Sequence, residues 1–125
     1  MEFEPKLPQR EFEVGFEHKS KITDCGSLKL DENEQVSFLT GNGGEWDVVR
    51  KKWGFYATPS INGRLSDFDI RTALVKNRIG RFFLLLVEKG HQTEFEEYMR
   101  LEKMNIVAWL DEPEHIRLID NSIKA

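Results

Sequence analysis

Aromatic, hydroxyl, amide and basic side chains lie together in residues 53–65, which read WGFYATPSINGRL. Aromatic rings supply flat contact area, while hydroxyl, amide and guanidinium groups orient a ligand through directional hydrogen bonds. Trp53 or Tyr56 can stack on a sugar or a base, and Arg64 can reach a phosphate or a carboxylate. We therefore predict a binding site for a small anionic ligand such as a sugar phosphate or nucleotide. It comprises seven side chains: Trp53, Tyr56, Ser60, Asn62, Arg64, Lys76 and Arg78.

The charge distribution supports the same region. Residues 50–81 contain eight basic and two acidic residues, a net charge of +6, whereas the rest of the chain has ten basic and twenty acidic residues, a net charge of −10. A second explanation competes with a ligand site, because aromatic side chains of β domains usually fill the core and basic side chains usually pair with acids or water. We do not expect nucleic acid as a partner, since the chain as a whole is acidic and phosphate contacts need a sustained positive surface.

Other chemistry has little support in the residues. The three histidines, His18, His91 and His115, are far apart, and none has a second metal-ligand type at a recognisable spacing. Cys25 is the single cysteine, and we expect it to be a small buried hydrophobic residue in a strand. No phosphate loop, nucleophile elbow or metalloprotease motif is present. We therefore expect no bound metal and no other cofactor.

The composition indicates one folded domain. Of the 125 residues, 39% are hydrophobic and 32% are charged, an ordinary balance for a globular protein. The longest apolar run has six residues, far fewer than the roughly 20 that cross a bilayer, and the first ten residues do not resemble a signal peptide. We expect a cytoplasmic protein without membrane association, with a β-rich domain over residues 1–112 and a loosely attached tail over residues 113–125.

Alternating apolar and polar residues predict strands along most of the chain. The alternation is clearest in residues 11–17, which place Phe12, Val14 and Phe16 on one face and glutamates on the other, as in a half-buried strand. Further strands are predicted over residues 22–30, 35–40, 46–57, 68–76, 81–88 and 106–110, with Gly54 breaking the segment 46–57. Asn62 and Gly63 predict a hairpin turn.

The remaining elements complete the predicted architecture. Residues 82–87 read FFLLLV, which has no polar side and predicts a central strand covered on both faces. A helix is predicted over residues 94–103, with Thr93 as its N-cap and Glu96 completing a capping box. Seven or eight short strands and one C-terminal helix predict a mainly β (α+β) fold, an antiparallel β-barrel or sandwich.

Three functions remain open from the sequence. The first is a small soluble binding or accessory domain for the anionic ligand described above. The second is a small β-barrel enzyme, isomerase-like or epimerase-like, acting on a similar ligand with Tyr56, Lys76 or His91 as acid or base. The third is a protein–protein interaction module, or a homodimer, that pairs through an exposed strand edge or an apolar face.

Overall fold

The computed structural model describes residues 1–123, which form eight strands and three short helices. The strands are β1 (Glu2–Val14), β2 (Ser20–Lys29), β3 (Gln35–Leu39), β4 (Glu45–Lys51), β5 (Gly54–Thr58), β6 (Ile70–Lys76), β7 (Phe82–Glu88) and β8 (Asn105–Trp109). The helices are α1 (Arg64–Asp67), α2 (Gln92–Glu102) and α3 (Pro113–Ile123). The fold is mainly β with antiparallel pairing throughout the described residues, which confirms the predicted class.

The eight strands of the described chain form three small sheets and no closed barrel. Strands β1 and β2 pair only with each other, and we call this sheet the N-terminal hairpin. The middle sheet has the order β3-β4-β5, and the C-terminal sheet has the order β7-β6-β8. The extended stretch predicted over residues 46–57, with a break at Gly54, is divided into β4 and β5. The chain reverses at Lys52 and Trp53, and Gly54 begins β5 with a φ of 147°.

The prediction that FFLLLV is the central strand is also wrong. Strand β6 is central, because β8 pairs with the edge of β6 that lies opposite β7. Strand β7 is therefore an edge strand, and only one of its faces packs on the domain. A continuous apolar run indicates burial of both faces, but it does not determine which strands pair.

The helices also differ from the prediction of one helix. Asn62 and Gly63 form no hairpin, because residues 60–63 make a turn that leads directly into α1. Helix α2 is where a helix was predicted, but it starts at Gln92 and has no side-chain N-cap, so the capping box of Thr93 and Glu96 is wrong.

Helix α3 occupies the segment for which a loosely attached tail was predicted. Pro113 is its first residue, where the missing N–H of proline does not interrupt a helical hydrogen bond. The helix is tied to β8, because the backbone N–H of Trp109 donates to Nδ1 of His115 at 2.8 Å. The domain boundary at residue 112 stays a prediction.

The core of the described chain lies between α2 and the C-terminal sheet. Ala73 and Val75 of β6 are 0% exposed and pack with Met99 of α2. Partly buried side chains surround this cluster: Leu85, Phe95, Met104 and Trp109. Helix α1 covers the opposite face of β6 with Leu65, which is 1% exposed. Strand β6 is therefore covered on both sides.

The N-terminal hairpin has no such cover. Every residue of β1 is exposed, so the half-buried strand predicted over residues 11–17 is wrong for Phe12 and Val14, whereas Phe16 lies beyond β1 and is partly buried. Cys25 of β2 is exposed as well, which contradicts its predicted burial. The alternation correctly places Phe12 and Val14 on one face, where Phe12 pairs with Ile22 of β2, and these three side chains are exposed.

Candidate functional site

The basic side chains of the middle segment are engaged in contacts within the protein. Arg50 donates to the carbonyl oxygens of Lys51 and Gly54 and lies over the ring of Phe55. Lys51 donates to Oδ1 of Asn33, and Lys52 lies 3.9 Å from Oε2 of Glu32. Arg50, Lys51 and Lys52 therefore contact different partners around the middle sheet, and their positive charges do not converge on one site. The competing explanation from the sequence, paired basic side chains, describes this region.

Two further arginines of the same segment lie close to acids. The guanidinium of Arg71 donates to Asp111 at 3.0 Å and lies 3.9 Å from the centre of the Trp109 ring. A nitrogen of Arg64 lies 3.9 Å from a carboxylate oxygen of Asp47 and the same distance from one of Glu45. Two acids next to Arg64 reduce its capacity to attract an anion.

The structure distributes the seven predicted ligand residues over four places. Trp53 and Tyr56 stack on each other at the β4–β5 hairpin, with ring centres 6.5 Å apart. Arg64 faces the acids of β4. The remaining four lie in two further places: Ser60 and Asn62 beside α3, and Lys76 and Arg78 at the far end of β6. Three of the four places hold two predicted residues each and the fourth holds Arg64, so the seven residues do not form one site.

Ser60 and Asn62 line an open groove with a volume of about 770 Å³ between α3 and the β5–α1 connection. The other lining residues are mainly apolar: Ala57, Pro59, Ile61, Leu110, Ile116, Ile119, Asp120 and Ile123. No basic side chain lines the groove within residues 1–123. Its chemistry therefore suits an apolar group better than an anion.

Arg78 anchors the turn of the N-terminal hairpin. Its guanidinium carbon lies 3.9 Å from the centre of the Phe16 ring, and the backbone N–H of Phe16 donates to Oε2 of Glu102 at 2.9 Å. Lys76 lies over the ring of Phe82, 5.8 Å from its centre. Both predicted ligand residues at this end of β6 therefore have aromatic partners.

The titratable groups proposed for an enzyme do not share a site. Tyr56 lies against Trp53, Lys76 lies over Phe82, and His91 lies between Glu88 and Glu94 at 3.8 and 3.5 Å. Within residues 1–123, no group of three or more His, Cys, Asp or Glu side chains is arranged to hold a metal ion. No helix of the described chain is long and apolar enough to cross a membrane.

Buried polar atoms and shifted pKa values do not define a site either. Oδ1 of Asp47 and Oγ1 of Thr72 are buried without a hydrogen-bond partner among residues 1–123, but neither residue lines the groove beside α3. The hydrogen bonds from Arg100 lower the pKa of Glu97 below its ordinary value, and that pair lies on the exposed surface of α2. The two buried oxygens and the Glu97–Arg100 pair therefore do not identify a ligand site.

The most distinctive surface of the described chain is the side of β7 that faces away from α2. Phe82, Leu84 and Leu86 project to this side and are 57%, 60% and 38% exposed. We call these three side chains the outer face of β7. Leu84 lies opposite the half-buried Leu74 of β6, so the outer face of β7 continues into the apolar surface of the sheet. Sequence reasoning noticed the apolar run but assigned it to the core.

A second apolar surface lies on the N-terminal hairpin. Its register places five exposed apolar side chains on one face: Phe3, Phe12, Val14, Ile22 and Leu28. The opposite face is polar and includes Glu11, Glu13 and Lys21. We call the five side chains the apolar face of the hairpin. Exposed apolar patches of this kind are typical of interaction sites.

No protein-family model, no curated protein and no solved structure matches this chain. Functional inference therefore depends on the surfaces described above.

Proposed function

We propose that the chain is a protein–protein interaction module that self-associates through its C-terminal sheet and buries the outer face of β7. The carrying observation is that these exposed apolar side chains belong to an edge strand. An edge strand presents unpaired N–H and C=O groups, and natural proteins usually protect such an edge with charged residues, proline or a covering element. Residues 82–87 contain neither a charge nor a proline.

The sandwich fold predicted from the sequence is compatible with self-association. Residues 82–87 have the composition of a strand covered on both faces, and on one face Leu85 packs against the buried cluster that includes Met99 of α2. A layer supplied by another chain would cover the other face. The sandwich would then be completed between molecules.

The anionic-ligand function stays a prediction with weaker support. Four of the eight basic side chains of residues 50–81 lie within 4.0 Å of an acid or donate to backbone carbonyls: Arg50, Lys52, Arg64 and Arg71. The exposed Trp53 and Tyr56 pair still offers a stacking surface. On the outer face of β7, Lys76 lies over the ring of Phe82 but Leu84 is 60% exposed, and this exposed apolar surface favours self-association.

Sedimentation velocity of the full chain over a wide concentration range tests the proposal. We expect a dimer that dissociates on dilution, and we expect Leu84→Glu to raise its dissociation constant about 100-fold or more, because a charge would be buried in the interface. Leu118→Glu on α3 is the matched control, since Leu118 is also exposed and lies outside both apolar surfaces. A wild-type chain that is monomeric at every concentration, or equal effects of the two variants, would overturn the proposal.

A further inference from the structure

We infer that β7 pairs edge to edge with β7 of a second copy, antiparallel across a two-fold axis at Leu84, so that two C-terminal sheets form one six-stranded sheet. This inference rests on the proposed function and names the strand pairing that joins the two molecules. A two-fold contact uses the same surface on both copies. A two-fold axis perpendicular to the sheet reverses the strand direction, so an edge strand that meets itself in this way pairs antiparallel.

The backbone of β7 has a set of hydrogen-bonding groups that faces away from β6. The N–H of Lys89 donates to the carbonyl oxygen of Asp69 at 2.8 Å, just beyond one end of the β6–β7 ladder. Beyond the other end, the N–H of Asn77 donates to the carbonyl oxygen of Arg81, also at 2.8 Å. Hydrogen-bonded pairs alternate with non-bonded pairs along an antiparallel ladder, and the register between these two bonds is continuous, so the odd-numbered residues of β7 bond to β6. The even-numbered residues direct their N–H and C=O groups to the outer edge, where no other strand of the described chain pairs: Phe82, Leu84 and Leu86.

Apolar side chains are exposed on both faces of β7, which favours a contact at its edge. Leu84 is 60% exposed on the outer face, and Phe83, which lies opposite Val75 on the α2 side, is 47% exposed. Helix α2 packs over β6, where Met99 contacts Val75 and Ala73. A layer stacked on the outer face alone would leave Phe83 exposed, whereas a second β7 beside the first covers Phe83 and Leu84 from the edge.

The free backbone groups restrict the register of this pairing. Only even-numbered residues can form hydrogen-bonded pairs across the new edge, so the numbers of two opposite residues must add to an even sum. An axis at Leu84 satisfies this condition and places Leu84 opposite its own copy. It also places Phe82 opposite Leu86 of the partner and Phe83 opposite Leu85 of the partner. Each of these pairs is apolar, and cross-strand apolar pairs stabilise a sheet.

The two neighbouring registers are less favourable. An axis one residue later would place Arg81 opposite Lys89 of the partner, and like charges directly opposite each other destabilise a sheet. An axis one residue earlier would place Leu86 opposite Gly80 of the partner, which has no side chain to pack. The register centred on Leu84 avoids both problems.

The charges on the outer side of the sheet also suit antiparallel pairing with a second copy. Lys76 lies opposite Phe82 at one end of the β6–β7 pair, and Glu88 lies at the other end on the same side. Antiparallel pairing brings the Lys76 end of each copy beside the Glu88 end of the other, and complementary charges fix the relative orientation of partners. Residues 82–87 have no charge, so no like charges meet in the centre of the contact.

Disulfide formation between single-cysteine chains tests the register. In a Cys25→Ser background, Leu84→Cys places the two thiols in a hydrogen-bonded pair with Cα atoms about 5.5 Å apart, a separation that a disulfide can span. Leu86→Cys on the same face is the matched control, because its two copies would lie roughly 14 Å apart along the strands. With copper phenanthroline as oxidant, we expect a disulfide dimer of Leu84→Cys on a non-reducing gel and little or none of Leu86→Cys. We also expect a mixture of Phe82→Cys and Leu86→Cys to form a mixed dimer.

Sedimentation velocity of two variants at position 84 tests the backbone pairing. The N–H of Leu84 faces the free edge, so Leu84→Pro removes no hydrogen bond of the single chain, and proline is tolerated on such an edge. It would remove two hydrogen bonds of the dimer. We expect Leu84→Pro to raise the dissociation constant about 100-fold or more and Leu84→Ala, which keeps the N–H, to raise it about 10-fold or less. Circular dichroism establishes that Leu84→Pro is folded, and the cysteine variants decide alone if it is not.

The outcomes separate this inference from the proposed function. If the wild type dimerises but Leu84→Pro has no more effect than Leu84→Ala, the β7 edges do not pair, and the proposed function stands. Self-linking of Leu86→Cys as readily as of Leu84→Cys would lead to the same conclusion. A wild type that is monomeric at every concentration would refute the proposed function itself.

Discussion

Strand β6 of the C-terminal sheet and strand β1 of the N-terminal hairpin have opposite environments. Ala73 and Val75 of β6 are fully buried between helices, whereas every residue of β1 is exposed. Both segments place their apolar side chains on defined faces. The comparison shows that alternation determines which residues share a face, while the burial of that face depends on what other elements, or other molecules, supply.

The same contrast occurs within one strand. Leu84 and Leu85 are adjacent in β7, yet Leu85 packs against the buried cluster and Leu84 is 60% exposed. Their backbones are equivalent and their side chains identical, so their different roles arise from the two faces of the sheet. This pair allows the contribution of the core to be measured separately from that of the proposed interface.

The largest effect is expected in the covered region. Leu65→Ala should lower the free energy of unfolding by about 2 to 5 kcal/mol, because it removes buried methyl groups and leaves a cavity beside β6. Urea denaturation measures the loss. Leu118→Ala, at an exposed position of α3, should change stability by less than about 0.5 kcal/mol. Similar losses for the two variants would contradict the described core.

Leu85→Ala and Leu84→Ala test the two faces of β7 separately. At concentrations low enough to dissociate the proposed dimer, Leu85→Ala should cost about 1 to 3 kcal/mol, less than the range for a fully buried leucine. Leu84→Ala should cost less than about 0.5 kcal/mol under the same conditions, since it removes mostly exposed surface. Urea denaturation of dilute protein measures both. A larger loss for Leu84→Ala would indicate that its face is covered within one chain.

The contact of Arg71 with Asp111 and Trp109 joins β6 to the segment that precedes α3. Arg71→Ala should lower stability by about 1.5 kcal/mol, because it removes a charged hydrogen bond and a cation–π contact at a partly buried position. Arg81→Ala is the control, since Arg81 is exposed and belongs to the same basic segment. Thermal unfolding of both variants provides the measurement, and equal midpoints would show that the contact contributes nothing.

The smallest effect concerns the exposed surface of α2. The hydrogen bonds from Arg100 lower the pKa of Glu97 in the folded chain, so their contribution is present above the ordinary glutamate pKa and is lost as the pH falls through the lowered one. The thermal midpoint of Glu97→Gln should therefore lie slightly below that of the wild type at neutral pH and approach it in acid. Thermal scans at a series of pH values test this, and a difference that grows in acid would reverse the sign.

The features that depend on neighbouring residues could be predicted from the sequence. It predicted the mainly β class, a helix over residues 94–103 that the structure has at Gln92–Glu102, and the shared face of Phe12 and Val14, because side-chain periodicity and helix pattern depend on neighbouring residues. Candidate ligand residues could be named by type, but their separation into four places could not be foreseen.

The strand order and the burial of each face depend on the tertiary structure. It placed β8 against β6, which made β7 an edge strand and exposed Leu84, and it left the N-terminal hairpin without a covering layer. The pairing of β6 with β8 joins residues separated by about 30 positions, and the apolar content of a strand does not specify which edge its neighbour occupies. An apolar run such as residues 82–87 indicates that the faces of a strand favour burial. The strand order and the neighbouring elements determine which of those faces the same chain covers.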